Sequence, residues 1–190
     1  MKTRNESNRL AKECIVTALI ELMKVKEYDD ISITDITRKA GVSRMAYYRN
    51  YTSKEDILNK YMDEVGHSIH EKIAKLNTRS NIYEYFRALF EQLGAYRDLG
   101  ITTYRAHLGE LILNSISKNM ATTFPPYDDS LEAKYRHLFL AGAFYNVLIE
   151  WLKSGRPESC EKMAEICCSL TCDGCHIPTD PNTKGSENNE

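Results

Sequence analysis

The strongest constraint on the fold of this chain is the stretch SITDITRKAGVSRMAYYRNYTSK, which occupies residues 32–54. Ser32 and Asp35 have the spacing of a capping box, and apolar residues follow at helical intervals, which predicts a helix beginning here. Gly41 predicts the end of that helix, because a residue without a Cβ adopts the positive φ of a tight turn without strain. Ser43 predicts the cap of a second, short helix. Two helices joined by a glycine-containing turn are typical of a helix-turn-helix.

Helices are also predicted on both sides of this motif. Upstream, apolar residues recur every three or four positions from about Asn8 to Lys26. Downstream, Thr52 and Glu55 form a second S/T-x-x-E signal, which predicts the start of another amphipathic helix. The chain from Asp63 onward also has helical patterning, so the sequence predicts an all-α protein.

The motif and its flanking helices resemble a known family. Residues 15–58, and most closely the phrase GVSRMAYYRNYTSKEDIL, resemble the DNA-binding domain of the TetR family of bacterial transcription regulators. The resemblance implies a helix-turn-helix domain at residues 8–62 and a helical regulatory and dimerisation domain at residues 63–176. It implies a ligand-responsive repressor that acts as a homodimer on a palindromic operator, with double-stranded DNA and an unknown small-molecule effector as partners. The polar segment 177–190 is predicted to be a disordered tail.

The candidate DNA-binding residues lie on the second helix of the motif and beside it. Arg44 can make a bidentate contact with guanine O6 and N7, and Met45 or Ala46 can touch a thymine methyl group. By the resemblance, Tyr48 and Lys54 correspond to a tyrosine and a lysine that contact phosphates in the family. The remaining candidates are Thr34, Ser43, Arg49 and Asn50.

Some of these positions have a structural alternative. Thr34 and Ser43 are explained equally well by capping or by solvent exposure. Arg38 and Lys39, on the preceding helix, are expected either to contact phosphate or to form a solvated face.

The resemblance implies that two tyrosines lie in the core, and the sequence differs from the family pattern at three positions. Tyr47 and Tyr51 fall where family members carry apolar core residues. Glu27 stands where a glycine commonly ends the first helix, so that turn must close without it. Met45 replaces a small residue and Ala46 replaces a threonine or serine. The last two changes fall on the base-reading surface, so the operator sequence is not predictable from the family.

Charge is distributed unevenly along the chain. Residues 1–60 contain 12 Lys and Arg against 9 Asp and Glu, a net charge of +3, whereas the remaining residues contain 13 against 18, a net charge of −5; the sum is the overall −2. A mildly basic N-terminal region on an acidic body favours a protein of which only one end meets phosphate.

The last two predicted helices, at 130–152 and 158–172, are the candidates for dimerisation. Their phrase FYNVLIEWLKSGRPES resembles a C-terminal domain found in one Gram-positive branch of the family. The resemblance implies that this pair of helices forms a four-helix bundle across a two-fold axis, although an intrachain core explains any single residue equally well. The candidate interface residues are Leu138, Gly142, Tyr145, Ile149, Leu152, Met163, Ile166, Cys167 and Leu170.

A small-molecule pocket in the body is implied by the same resemblance. Aromatic residues at helical spacing are its candidates, with His107 as a group that can orient a polar ligand. Aromatic residues in such positions are more often plain core, and a single histidine usually satisfies its own hydrogen bond. The candidate pocket residues are Phe86, Phe90, Tyr104, His107, Phe144, Tyr145 and Trp151.

Cysteines near the C-terminus suggest an alternative function, in which the protein responds to a metal or to the redox state. CDGCH at 172–176 matches the haem-attachment motif, but that chemistry takes place outside the cytoplasm and the sequence has no export signal. Cys168, Cys172, Cys175 and His176 have the spacing for a zinc site, and a C-x-x-C pair is also compatible with a thiol switch. The alternative function is therefore a metal- or thiol-responsive sensor, although reduced thiols without a role are the simpler explanation.

Other functional classes lack support in the sequence. No phosphate loop, nucleophile elbow, H-E-x-x-H or dinucleotide-binding turn occurs, so neither enzymatic activity nor a cofactor or metal is predicted. No apolar run reaches the ~18 residues of a membrane-spanning helix. The expected location is the cytoplasm.

Overall fold

The computed structural model describes residues 4–74, 82–123 and 129–172. Within them the chain forms α-helices and one short 3-10 turn and no strand, which confirms the predicted all-α fold. The helices are α1 Arg4–Met23, α2 Ile33–Ala40, α3 Arg44–Asn50, α4 Lys54–Ala74, α5 Ile82–Ala95, α6 Arg97–Arg105, α7 Gly109–Thr123, α8 Leu131–Lys153 and α9 Cys160–Cys172. The predicted tail at 177–190 lies outside the described residues.

The helix-turn-helix, α2 and α3, forms where the sequence predicts it. Ser32 Oγ accepts a hydrogen bond from Asp35 N at 3.1 Å and Asp35 Oδ2 accepts one from Ser32 N at 3.0 Å, which completes the capping box. Gly41 follows α2 with a φ of 65°, a conformation that strains residues with a Cβ. Ser43 caps α3, because its Oγ accepts a hydrogen bond from Ala46 N at 3.1 Å.

The cap of α4 differs from the prediction by one position. Ser53 Oγ accepts a hydrogen bond from Asp56 N at 3.0 Å, and Asp56 Oδ2 accepts one from Thr52 N at 2.9 Å. The predicted pair, Thr52 and Glu55, is therefore wrong. The segment TSKED contains two overlapping capping signals, and spacing alone does not rank them.

The segment between α1 and α2 closes without a glycine. Glu27 has a φ of −60° and an extended conformation, and the residues after it, Tyr28–Asp30, form the 3-10 turn. The chain thus leaves α1 through backbone angles that any residue adopts, which explains why a glutamate is accepted at this position.

α1 holds the other N-terminal helices together by packing across α2, α3 and α4. Ile15, Leu19, Ile36, Tyr47 and Leu58 are fully buried among these helices. Burial of each aliphatic side chain stabilises the fold by about 1.5–3 kcal/mol relative to exposure. This core fixes the orientation of α3.

The C-terminal helices have a core of their own. α5 packs against α9, while α7 packs against both α4 and α8. Phe86 and Phe144 are stacked with ring centroids 6.1 Å apart, and Phe90 meets Trp151 edge-on at 5.1 Å. Trp151 Nε1 also donates a hydrogen bond to Glu158 O at 3.0 Å, which ties the end of α8 to the turn before α9.

Helix α4 and an ion pair connect the two halves of the protein. α4 runs without a break through the predicted domain boundary at residues 62 and 63. Lys24 Nζ, just after α1, lies 2.7 Å from Asp98 Oδ2 in the first turn of α6. None of the helices in the described ranges combines the length and the apolar character that crossing a membrane requires.

Candidate DNA-binding surface and ligand cavity

The two sides of α3 differ in exposure. Tyr47 is fully buried against the N-terminal core and Tyr51 is 4 % exposed, which confirms their predicted place inside. On the opposite side Met45 is 75 % exposed and Tyr48 is 59 % exposed, and Arg44 and Arg49 are exposed too. α3 therefore presents a surface that combines basic, aromatic and apolar side chains.

Arg44 is oriented by a residue of the preceding helix. Its Nη2 donates a hydrogen bond to Thr34 Oγ1 at 2.5 Å across the turn between α2 and α3. A guanidinium has five N–H donors, so this contact leaves others for a base edge. Thr34 thus holds the arginine at the surface, a role that the sequence analysis did not predict, because it considered Thr34 only as a DNA contact, a cap or a solvent-exposed residue.

Asn50 faces the protein rather than solvent. Its Nδ2 donates hydrogen bonds to Asn8 Oδ1 at 3.0 Å and to Ala46 O at 2.8 Å, and Lys60 Nζ donates one to Asn50 O at 3.0 Å. These contacts attach the C-terminal end of α3 to α1 and α4. The structure therefore gives Asn50 a bracing role, and its predicted contact with DNA stays a prediction.

Lys54 braces the start of α4 in a similar way. Its ammonium donates hydrogen bonds to Tyr28 O at 2.5 Å and to Asp29 O at 3.3 Å, and it lies 4.3 Å from the centroid of the Tyr28 ring. Two of the three ammonium donors are thus directed to the 3-10 turn. No local pattern predicts this contact, because the partners lie about 25 positions apart in the sequence.

Ser43 caps α3 through Ala46 N and is itself exposed. Three basic residues nearby are exposed as well: Arg38, Lys39 and Arg49. Arg38 and Lys39 occupy the last turn of α2, beside the turn that leads to α3. Together with Arg44, they give this end of the protein a local excess of positive charge. Such a surface attracts the phosphate backbone of nucleic acid.

An apolar cavity of about 110 Å³ lies in the body, between α4, α5, α7 and α8 and the start of α6. Its polar lining residues include His70 of α4 and Ser115 and Asn119 of α7. The large apolar and aromatic lining residues are Met62, Val65, Ile69, Ile73, Tyr85, Leu89, Leu93, Tyr96, Leu99, Ile112, Ile116, Met120, Phe144, Leu148 and Leu152.

Gly66 permits the polar corner of this cavity. A Cβ at Gly66 would collide with the side-chain amide of Asn119, so the glycine lets that amide lie directly against α4. Asn119 Nδ2 donates a hydrogen bond to Ser115 O at 2.7 Å, which fixes the direction of the amide.

Most of the predicted pocket residues lie elsewhere, and Phe144 alone among them lines this cavity. Phe86, Phe90 and Trp151 belong to the aromatic core between α5 and α8, so the core explanation holds for them. Tyr104 and Tyr145 are half-buried outside the cavity, and His107 is exposed in the turn between α6 and α7 with a φ of 59°. The prediction therefore differs from this cavity at six of its seven positions. It chose aromatic residues, whereas aliphatic residues of several helices form most of the wall.

The predicted dimer interface divides into buried and exposed residues. Ile149, Leu152, Met163 and Cys167 are at most 5 % exposed in the single chain, so the alternative explanation, an intrachain core, accounts for these four residues. Leu138, Ile166 and Leu170 are exposed, and Gly142 and Tyr145 are half-buried. Further exposed apolar residues that the prediction omitted lie on the first half of α8: Leu131, Tyr135 and Phe139.

The described cysteines do not support a metal or redox site. Within the described ranges, no group of three or more His, Cys, Asp or Glu side chains is arranged to hold a metal ion. Burial raises the pKa of Cys167 to about 11 and also raises the pKa of Cys160, so both thiols resist ionisation. The predicted ligands Cys175 and His176, and the side chain of Cys172, lie outside the described residues.

Comparison with known proteins agrees with this architecture. A family model described as bacterial regulatory proteins of the tetR family matches residues 15–61, and one described as a transcriptional regulator C-terminal region matches residues 80–173. No curated protein sequence matches the chain.

Solved structures of several regulators share its fold. A TetR transcriptional regulator from Streptococcus agalactiae has a TM-score of 0.64 at 17 % identity, over 88 % of this chain and 96 % of that chain. The fatty acid degradation regulator FadR from Bacillus halodurans has a TM-score of 0.60 at 18 % identity, over 94 % and 100 %. The repressor FadR from Thermus thermophilus, in complex with lauroyl-CoA, has a TM-score of 0.51 at 19 % identity, over 90 % and 97 %.

The two family models match different parts of the chain, and both describe regulators of transcription. The exposed α3 and the solved structures are consistent with them. The chain therefore belongs to the TetR family, and it is a DNA-binding transcriptional regulator rather than an enzyme.

Proposed function

We propose that the protein is a homodimeric repressor that binds a palindromic operator and is released from it by a small molecule. The observation that carries this proposal is the two-sided α3, in which Tyr47 is buried while Arg44, Met45 and Tyr48 are exposed. A helix anchored in this way enters the major groove with its outer face towards the base edges. Because its partner is chromosomal DNA, we place the protein in the cytoplasm.

Each candidate DNA contact follows from the position of the side chain on this surface. Arg44 reads guanine from the position in which Thr34 holds it, and Met45 contacts a thymine methyl group. Tyr48 and Arg49 contact phosphates. Such contacts to the backbone position the protein without reading the sequence.

A second copy of the chain supplies the other reading helix. Four exposed apolar residues recur along α8 at steps of four, three and one, which places them on one stripe: Leu131, Tyr135, Leu138 and Phe139, each 50–64 % exposed. An exposed apolar stripe of this size on a helix marks an interaction surface. A two-fold dimer that buries this stripe presents two copies of α3 to successive major grooves ~34–36 Å apart.

The cavity is suited to hold the effector because α4 forms one of its walls. The same helix begins beside α3, where Lys54 attaches it to the 3-10 turn. The start of α6 also lines the cavity and is paired through Asp98 with Lys24 of the N-terminal region. A ligand that displaces α4 or α6 therefore changes the position of the reading helix. In the Thermus thermophilus FadR, lauroyl-CoA is the ligand found in complex with the repressor.

DNA recognition is tested by capturing genomic fragments on the full-length protein and measuring their affinity by mobility shift. We expect Arg44→Ala to change the preferred sequence, because it removes a base contact that discriminates by about 1–3 kcal/mol. Arg105→Ala is the matched control, since Arg105 is an exposed arginine at the end of α6. An unchanged preference in Arg44→Ala would contradict the role of this residue, and the absence of any bound fragment would contradict the proposed function.

Dimerisation is tested by sedimentation of wild-type protein and of Phe139→Glu, which places a charge in the middle of the stripe. We expect a wild-type dimer and a monomeric variant that binds the operator weakly. Val25→Glu is the control, because Val25 is 81 % exposed and lies outside α8 and α9. A monomeric wild type, or a variant that stays dimeric, would contradict the proposed interface.

A further inference from the structure

We propose that the cavity binds an uncharged, compact and largely apolar molecule whose polar group hydrogen-bonds at Ser115 and Asn119. This inference rests on the proposed function, in which the cavity holds the effector, and it specifies the chemical class of that effector. The neutral character of the ligand distinguishes this protein from a regulator of acyl-CoA thioesters, whose phosphates require cationic partners.

The wall of the cavity is mainly apolar. Met62, Val65, Ile69 and Ile73 project from one face of α4, and they are all buried. The facing walls from α5, α7 and α8 are built mainly of aliphatic and aromatic side chains as well. Moving an ionised carboxylate or ammonium from water into such surroundings without a partner costs far more than moving a hydroxyl. No Lys, Arg, Asp or Glu is among the lining residues that the structure describes, so a ligand ammonium finds no counter-ion there and a ligand carboxylate finds only the imidazole of His70.

The polar corner of the cavity, formed by Ser115 and Asn119 of α7, can bind a polar group of the ligand. The Asn119 amide lies against α4 at Gly66 and is oriented by its hydrogen bond to Ser115 O. Ser115 and Asn119 are one turn apart on α7, so their side chains reach the cavity side by side. A hydroxyl and an amide offer both donors and acceptors, which match an alcohol, a ketone or an amide in a ligand.

The cavity is small. Its volume of about 110 Å³ is smaller than the ~150 Å³ of an engineered apolar cavity that binds benzene. A ligand of no more than about six heavy atoms therefore matches the cavity as it stands.

The test compares three probes of equal chain length: pentan-1-ol, pentanoate and pentylammonium. Each is titrated into the full-length protein by calorimetry at about pH 8.5, above the range in which histidine side chains ordinarily titrate. We expect saturable binding of pentan-1-ol and at least tenfold weaker binding of both ions. Equal or tighter binding of either ion, or no binding of any of the three probes, would overturn the proposal.

Two cavity-filling variants locate the binding. Ile116→Phe and Leu89→Phe each add volume inside the cavity, from α7 and α5 respectively, and we expect both to abolish the binding of pentan-1-ol. Leu113→Phe is the matched control, because Leu113 is half-buried on α7 but does not line the cavity. Circular dichroism confirms that each variant is folded. Wild-type affinity for pentan-1-ol in a folded cavity-filling variant would also overturn the proposal.

Failure of this inference is distinguishable from failure of the proposed function. Operator binding is measured on the same wild-type sample. If the protein binds its operator but prefers pentanoate, only the class of the ligand is wrong. If it binds no DNA, the proposed function is wrong whatever the probes do.

Discussion

Two adjacent tyrosines of α3 are expected to respond in opposite ways to the loss of a single hydroxyl group. The Tyr47 hydroxyl is buried and has no hydrogen-bond partner among the residues that the structure describes, and burial raises the pKa of Tyr47 to about 12. The Tyr48 side chain is 59 % exposed on the other face of the same helix. Tyr47→Phe should therefore stabilise the fold and leave DNA binding unchanged, whereas Tyr48→Phe should weaken DNA binding and leave the stability unchanged.

The expected magnitudes follow from these environments. A buried polar group without a partner costs about 1–3 kcal/mol, and the small void left by the missing oxygen offsets part of the gain. We expect the free energy of unfolding of Tyr47→Phe to rise by about 1 kcal/mol, which corresponds to an increase in Tm of about 2–4 °C for a chain of this size. Tyr48→Phe removes one phosphate hydrogen bond of about 1 kcal/mol from each subunit, so a dimer loses about 2 kcal/mol of binding free energy, a roughly thirtyfold rise in Kd.

The assays are thermal unfolding at a fixed protein concentration, because dimerisation makes Tm depend on concentration, and mobility shift with the captured operator. Each variant serves as the control for the other, since both lose one phenolic oxygen from the same helix. A Tyr47→Phe protein that is less stable than wild type by 1 kcal/mol or more would mean that the hydroxyl has a partner. Full DNA affinity in Tyr48→Phe would remove this residue from the DNA interface.

Three further predictions test the supports of the site. Lys54→Met should lower both Tm and DNA affinity, unlike Tyr48→Phe, because it removes the brace between α4 and the 3-10 turn; thermal unfolding and mobility shift separate these effects. The Ser32 hydroxyl and backbone and Lys26 lower the pKa of Asp35, so its stabilising contribution is present above the ordinary carboxyl pKa of ~3.9 and is lost as the pH falls below that value. Urea unfolding at several pH values should therefore show a smaller acid loss in Asp35→Asn than in wild type. Gly66→Ala should keep its helix yet bind pentan-1-ol more weakly, because the new methyl group pushes an amide into the cavity.

The parts of the fold that local signals decide are predictable from the sequence. Ser32, Gly41 and Ser43 are all identified correctly, because a cap or a helix end depends on residues within about four positions. Tyr47 is placed inside correctly as well, since its position in the motif is one that the family fills with core residues. The exposed face of α3 follows from the same spacing.

The hydrogen bonds that hold Lys54 and Asn50 in place are not predictable from local sequence signals. The contact of Lys54 with Tyr28 O spans 26 positions, and that of Asn50 with Asn8 spans 42. Each depends on where α1 packs against α3 and α4, which no local pattern encodes. The sequence shows the chemistry of both side chains, which favours a contact with DNA, but it does not show these partners within the protein.

The sequence also does not show what covers the apolar face of a helix. α8 carries helical periodicity along its whole length, yet Ile149 and Leu152 are buried by the chain itself while Leu138 and Phe139 are exposed. Periodicity identifies an apolar face, but it does not say whether the same chain or a second copy covers that face. The position of the cavity is likewise set by the arrangement of several helices, so a search for aromatic residues finds the core instead.

The length of α4 converts a small tilt at the cavity into a larger displacement beside α3. From Ile69 at the cavity to Lys54 beside α3, the helix extends over about 22 Å at a rise of ~1.5 Å per residue. A tilt of only about 5° at the cavity therefore moves the far end by about 2 Å, and two copies in a dimer move their reading helices by this amount each. Donor and acceptor atoms in hydrogen bonds lie ~2.7–3.2 Å apart, so a shift of about 2 Å is sufficient to separate Arg44 from a guanine in one or both half-sites. A compact ligand is adequate for this purpose, because the length of the helix and not the size of the ligand sets the displacement.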